Sequence, residues 1–266
     1  MMKFNSLNKT AYHFSNGPVG CLLIHGFTGT PDELHELGIF FAQHGLTVSI
    51  PLLPGHGTTP EELALVKWPV WVEWVRNEFF RMQEKCQEVF VAGQSMGGTL
   101  ALHLGSHFAP AGIITFAAPL RFQHRLLTFY PLVKYFYHYY PKKYGNDIRD
   151  PEMKQKLESY QVYPLPAVME FQKLLNHTYD DLPEITAPVL ALHSRQDHTI
   201  QLNNIDIIFN RVGSKIKEKI ILEESFHLIT ADVEREFVKH AALEFIKTHS
   251  HFLKQDSLKT DDRSER

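Results

Sequence analysis

The chain has 266 residues, 44% hydrophobic and 21% charged, a balance too apolar for a mostly disordered protein and enough chain to bury a sizeable core. Its 27 basic and 30 acidic side chains leave a formal charge of −3, with no global attraction to the phosphates of nucleic acid. Two cysteines make no disulfide framework, Met1 to Lys9 lacks the apolar run of a signal peptide, and no stretch reaches the roughly 18 apolar residues that span a bilayer. A cytoplasmic location is expected.

In chain order, Val19 to Ile24 reads as a buried strand. Thr30-Pro31-Asp32-Glu33 then signals a helix start, with threonine at the N-cap, proline at the first helical position and glutamate at the third, and Gly45 ends that helix. Leu46 to Leu53 is a second strand, followed by Pro54-Gly55-His56-Gly57 and another cap signal, Thr59-Pro60-Glu61-Glu62. Trp68 to Lys85 reads as an amphipathic helix, Val89 to Ala92 as a strand, Thr99 to Phe108 as a helix and Ile113 to Ala118 as a strand. After an interruption come strand Val189 to His193, helix Asn203 to Val212, strand Glu218 to Leu222 and a helix from Asp232 to Lys247. This alternation predicts an α/β fold, a mostly parallel central sheet flanked by helices.

The rhythm fails from Arg121 to Asp181, where nine of the ten tyrosines fall. That stretch reads as a small, mostly helical cap inserted into a core made of residues 1–120 and 182–248, with 249–266 a polar tail. A segment of about 60 residues is only marginally stable alone, so the cap leans on the body. Its tyrosines fit two roles, lining a pocket or packing the cap down. Five basic residues and no acid between Arg121 and Lys143, interleaved with aromatics, fit weak contact with an anionic lipid surface, beside the plainer reading of a solvated basic face.

Gly93-Gln94-Ser95-Met96-Gly97 matches the G-x-S-x-G elbow, which holds a serine on a sharp turn between strand and helix, and both neighbours are as the motif requires. A serine hydroxyl needs a base, and the base needs an orienting acid. Asp197 follows a strand end, and His227 lies between the last strand and the last helix, in the order serine, acid, histidine. Asp206 and Glu224 are the substitute acids. An oxyanion formed at Ser95 needs preplaced N–H donors, expected from the backbone of Met96 and, in the loop His25-Gly26-Phe27-Thr28-Gly29, of Phe27. With 16 histidines there is still no H-E-x-x-H, no paired cysteine motif and no compact cluster at ligand spacing, so no metal site is expected, and no cofactor-binding motif is present.

His25-Gly26-Phe27-Thr28-Gly29-Thr30-Pro31, Pro54-Gly55-His56-Gly57, Gly93 to Gly98, Asp197-His198 and Phe226-His227 together resemble the bacterial carboxylesterase and monoacylglycerol lipase family over about residues 17–247. The resemblance implies the α/β-hydrolase fold and a cofactor-free ester hydrolase with a helical cap over an apolar acyl pocket. Its substrate would be a small amphipathic ester such as a monoacylglycerol, with no obligate protein partner. In such lipases a polar or charged cap side chain meets the glycerol end, and Gln161, in Tyr160-Gln161-Val162-Tyr163-Pro164, takes that place here. Thioesterases, amidases and acyltransferases share the same elbow, and a non-catalytic binding protein on this fold is the remaining alternative.

Overall fold

The computed structural model of the chain describes residue 7, residues 9–121 and residues 138–253. Its strands are β1 Tyr12–Phe14, β2 Val19–Ile24, β3 Thr47–Ile50, β4 Glu88–Gln94, β5 Gly112–Phe116, β6 Tyr139–Pro141, β7 Val162–Pro164, β8 Val189–Ser194 and β9 Lys217–Leu222. Seven of them form one sheet in the order β1-β3-β2-β4-β5-β8-β9, parallel except for β1 against β3. The helices are α1 Asp32–Gln43, α2 Pro60–Leu65, α3 Trp68–Gln83, α4 Met96–His107, α5 Pro151–Lys156, α6 Leu165–Asp181, α7 Asn203–Arg211 and α8 Arg235–His249.

Successive strand residues face opposite sides of a sheet, so an all-apolar strand feeds two cores. In β2, Cys21 and Leu23 pack with α1 and α8, while Leu22 and Ile24 pack with α3, α4 and α6. The expected parallel sheet with helices on both faces is therefore present. β1 escaped prediction because three residues are too short a run to show a period, even though half-buried Tyr12 and Phe14 flank exposed His13. Of the two cap signals, Thr59 accepts from the Glu62 amide at 3.3 Å, but Thr30 lies before the N-cap Pro31 and makes no side-chain cap. Glu33, read there as part of a capping signal, turns instead toward the loop before the helix and accepts the Gly26 N–H.

Between β5 and β8 the chain leaves the sheet. β6 and β7 pair antiparallel with each other, with α5 between them in sequence and α6 after β7, so the described part of the inserted segment is helix with one short pair of strands. α6 buries Phe171, Leu174 and Leu175 in the same cluster as α3 and α4, and the segment shares the core of the body. Tyr160 fixes it further: its hydroxyl donates to the Gly55 carbonyl at 2.9 Å and accepts the Thr58 N–H at 2.8 Å. Arg121 and Arg211 sandwich Tyr179, each 4.0 Å from its ring centre. Tyr130, Tyr135, Tyr137, Arg125 and Lys134 lie outside the described residues. At the other end, the expected loose tail starts later than residue 249: Ser250 is buried and donates to Glu88 at 2.6 Å, and residues 254–266 lie outside the described residues. Among the described residues no helix is long and apolar enough to cross a membrane.

Candidate active site

Ser95 follows β4 directly and precedes the first residue of α4, with φ 53° and ψ −118°. Such a backbone costs a side-chain-bearing residue about 1–3 kcal/mol and persists only where the surroundings hold it. Here the Ser95 N–H donates to the Phe116 carbonyl at 2.8 Å and the Ser95 carbonyl accepts from the Gly98 N–H at 2.9 Å. The turn is tight enough that a Cβ at Gly97 would stand 1.9 Å from the Ile24 carbonyl oxygen, which is why the motif takes glycine there.

The Ser95 hydroxyl lies 3.0 Å from His227 Nε2, and His227 Nδ1 lies 2.8 Å from Asp197 Oδ2. With the Nδ1 proton donated to the carboxylate, Nε2 presents its lone pair to the serine hydroxyl. The other Asp197 oxygen accepts the N–H groups of Thr199 at 2.8 Å and Ile200 at 2.7 Å, and His193 Nε2 approaches Oδ2 at 3.1 Å. Burial opposes ionisation of Asp197, but the charge and hydrogen bond of His227 and the hydrogen bond of His193 hold it well below the usual carboxylate range. Burial likewise opposes protonation of His227, and the adjacent Asp197 carboxylate overrides it to raise the imidazole above its ordinary value. The substitute acids are elsewhere: Glu224 pairs with Arg149, and Asp206 pairs with Lys219 at 2.7 Å, both at the surface.

Met96 opens α4, so its N–H has no acceptor within the helix and belongs to the positive end of the helix dipole. Phe27 lies in a turn closed by the Gly29 N–H on the Gly26 carbonyl at 3.2 Å. Two buried side chains shape that turn. His25 donates from Nδ1 to the Gly26 carbonyl at 3.0 Å and accepts the Leu53 N–H on Nε2 at 3.1 Å, and burial drives it down to about 4, leaving it neutral. Glu33 accepts the Gly26 N–H at 2.9 Å, and burial pushes its carboxyl up to about 7 although that hydrogen bond and Lys142 work the other way.

A cavity of about 210 Å³ opens onto Ser95 and His227. Phe27, Leu165, Val168 and Phe171 give it an apolar wall; Glu33, Lys142, Asn146 and Ser159 give it a polar one. Lys142 Nζ donates to Ser159 Oγ at 2.9 Å, and Ser159 in turn donates to Asn146. Burial lowers Lys142 to about 8, against the pull of Glu33. Gln161 is not part of this wall. It is exposed, lies one residue before β7, donates to the Ser159 carbonyl at 3.0 Å and lines an outer groove. The cap tyrosines divide between the two expected roles: Tyr140 and Tyr163 line the cavity, while Tyr160 and Tyr179 pack the segment down.

Several further residues shape the site through contacts that only the fold creates. Asp147 accepts the backbone N–H groups of His227 and Leu228 on its carbonyl at 3.1 and 3.3 Å, while its carboxylate holds Thr199 and His198. Asp232, fully buried, accepts the N–H groups of Arg149, Asp150 and Phe226. Gln94 donates to the His227 carbonyl at 3.0 Å, tying the elbow to the histidine loop. Away from the cavity, His103, His107 and Asp181 gather at ligand spacing, contrary to the expectation that no such cluster exists; the signal was the i, i+4 histidine pair on α4.

Residues 19–234 match the family Hydrolase_4, described as serine aminopeptidase, S33. The chain belongs to that family. It is 33% identical over 249 residues to a thermostable monoacylglycerol lipase of Bacillus sp. (strain H-257), covering 90% of this chain and 94% of the lipase. It is 28% identical over 238 residues to a carboxylesterase of Bacillus subtilis (strain 168), covering 89% and 95%. Among solved structures, one from work on LipS and LipT, two metagenome-derived lipolytic enzymes, superimposes with a TM-score of 0.87 at 31% identity, over 92% of this chain and all of the other. This Hydrolase_4 chain has the α/β-hydrolase fold.

Proposed function

We propose that Ser95 is the nucleophile of a carboxylic ester hydrolase acting on single-chain acyl esters of a small polar alcohol, of which monoacylglycerols are the simplest. The chain is a carboxylic ester hydrolase of the α/β-hydrolase fold, as its lipase and esterase relatives support. The observation that carries the residue roles is the unbroken hydrogen-bonded line Asp197–His227–Ser95 on a strained elbow facing a cavity. In this reading Ser95 Oγ attacks the acyl carbonyl while its proton passes to His227 Nε2, and the oxyanion takes N–H groups from Met96 and Phe27. His227 then gives the proton to the departing alcohol. Water, deprotonated by the same imidazole, hydrolyses the acyl-enzyme and frees Ser95.

The apolar wall suits an acyl chain and the polar wall suits hydroxyl groups, which need both donors and acceptors. Lys142 and Ser159 take the place expected of Gln161. The test is a substrate panel: p-nitrophenyl esters of rising chain length, monoacylglycerols, an acyl thioester and an aminoacyl p-nitroanilide. Faster turnover of the glycerol esters supports the reading, and a preference for the anilide or thioester overturns it. Ser95→Ala should lower turnover by about 10⁵ to 10⁶ with an unchanged circular dichroism spectrum, by analogy with other serine hydrolases; turnover retained in the folded variant removes the assignment.

A further inference from the structure

The C-terminal half of α4 and the last turns of α6 pack side by side and face each other with metal-ligating side chains. His103 and His107 stand one turn apart on α4, on one face of the helix. Asp181 ends α6, and one atom from each of His103, His107 and Asp181 falls within 4.8 Å of the others. His107 Nε2 and Asp181 Oδ2 are already 4.0 Å apart.

Two details go beyond proximity. His103 is buried, 8% exposed, and its Nδ1 has no hydrogen-bond partner among the described residues, an arrangement that is unfavourable unless something accepts or donates there. His107 donates its Nδ1 proton to the His103 carbonyl at 3.0 Å, which leaves Nε2 with the lone pair on the side of Asp181. A metal-bound imidazole uses the same arrangement, its second nitrogen donating to a carbonyl so that tautomer and ring plane are fixed.

We propose that His103, His107 and Asp181 bind a divalent first-row transition ion of the Zn²⁺ kind, with water completing a tetrahedron, and that the ion clamps α6 to α4. Two imidazoles and one carboxylate suit Zn²⁺, Co²⁺ or Ni²⁺, whereas Mg²⁺ and Ca²⁺ demand oxygen ligands. Bonds of roughly 2.0–2.2 Å bring tetrahedral ligand atoms to about 3.3 Å apart, closer than they stand now. The His107 and Asp181 side chains are 49% and 38% exposed and can rotate inward, while buried His103 holds the fixed corner. The site shares no residue with the Ser95 cavity. It is linked to that cavity through both helices: α6 carries Val168 and Phe171 of the apolar wall, and α4 begins at Met96 directly after Ser95.

The experiment is calorimetric titration of chelator-treated protein with ZnCl₂, MgCl₂ and CaCl₂, paired with thermal unfolding. One equivalent of Zn²⁺ should bind, the other two ions should not, and a hundredfold excess over Kd should raise the unfolding midpoint by about 5–10 °C. His107→Ala and Asp181→Asn, both at exposed side chains, should fold normally and each weaken Zn²⁺ binding at least tenfold. Co²⁺ should give the visible absorption of a tetrahedral site, absent in His107→Ala. No binding, or binding that survives both substitutions, overturns the proposal.

Discussion

His227 stands between opposing influences: burial favours its neutral form, and the Asp197 carboxylate favours the charged one and wins. Its protonation therefore contributes stability that is fully present below the unfolded value near 6.5 and fades as pH rises through the higher folded value. Catalysis runs the other way, since only the neutral ring can accept the serine proton. The acid limb of the kcat/KM profile on a p-nitrophenyl ester should have its midpoint above 6.5, and Asp197→Asn should move it down while cutting kcat by about 10⁴. A wild-type midpoint below 6.5 would contradict the pairing. Glu33 gives a second pH signature. Its carboxyl, lifted to about 7, makes folding lose stability as pH rises from about 4.5 to 7, because the unfolded chain gives up this proton while the buried group still holds it. Glu33→Gln, which keeps an oxygen for the Gly26 N–H, should flatten the fall of urea-measured stability across that window. At this scale the sequence yields Ser95, Asp197 and His227, because motif and chain order locate them. It hides Glu33, Lys142 and Asp147, whose significance lies in what is folded against them.

Elements were legible where hydrophobic period and end signals agreed. Five of the six longer strands of the main sheet follow from largely buried apolar runs, and β9 from the apolar Ile220-Ile221-Leu222 that ends it. Short pieces were not: β1, β6 and β7 have three residues each and are defined by their partners, not by their own pattern. Gln161, one residue before β7, lines the outer groove, a position set by how the segment folds against the body and announced by no local signal. One of the ties between the inserted segment and the body is the phenol of Tyr160. Tyr160→Phe keeps the ring and deletes its hydrogen bonds to the Gly55–Thr58 loop, leaving the Thr58 amide without that acceptor. It should cost about 1–3 kcal/mol, read as a lower unfolding midpoint with little change in the circular dichroism spectrum.

Across the whole molecule, two apolar layers sandwich the sheet, and one of them runs without a break from β2 and β4 through α4 into α6. A segment that reads in sequence as an insertion is thus continuous in packing with what it interrupts. Calorimetric unfolding of the full chain should show one transition in which measured and van't Hoff enthalpies agree. Two separated transitions would mean that the shared layer does not couple the parts.

The carbonyl of Asp147 adds a consequence for how such chains can be recombined. It receives the backbone N–H groups of His227 and Leu228, so the loop that presents the imidazole is propped from the inserted segment. Exchanging that segment between related chains to graft a new preference would also exchange the prop. A workable graft boundary must leave residues 144–150 with the recipient, and the portable part of the insertion is correspondingly smaller than the sequence outline suggests.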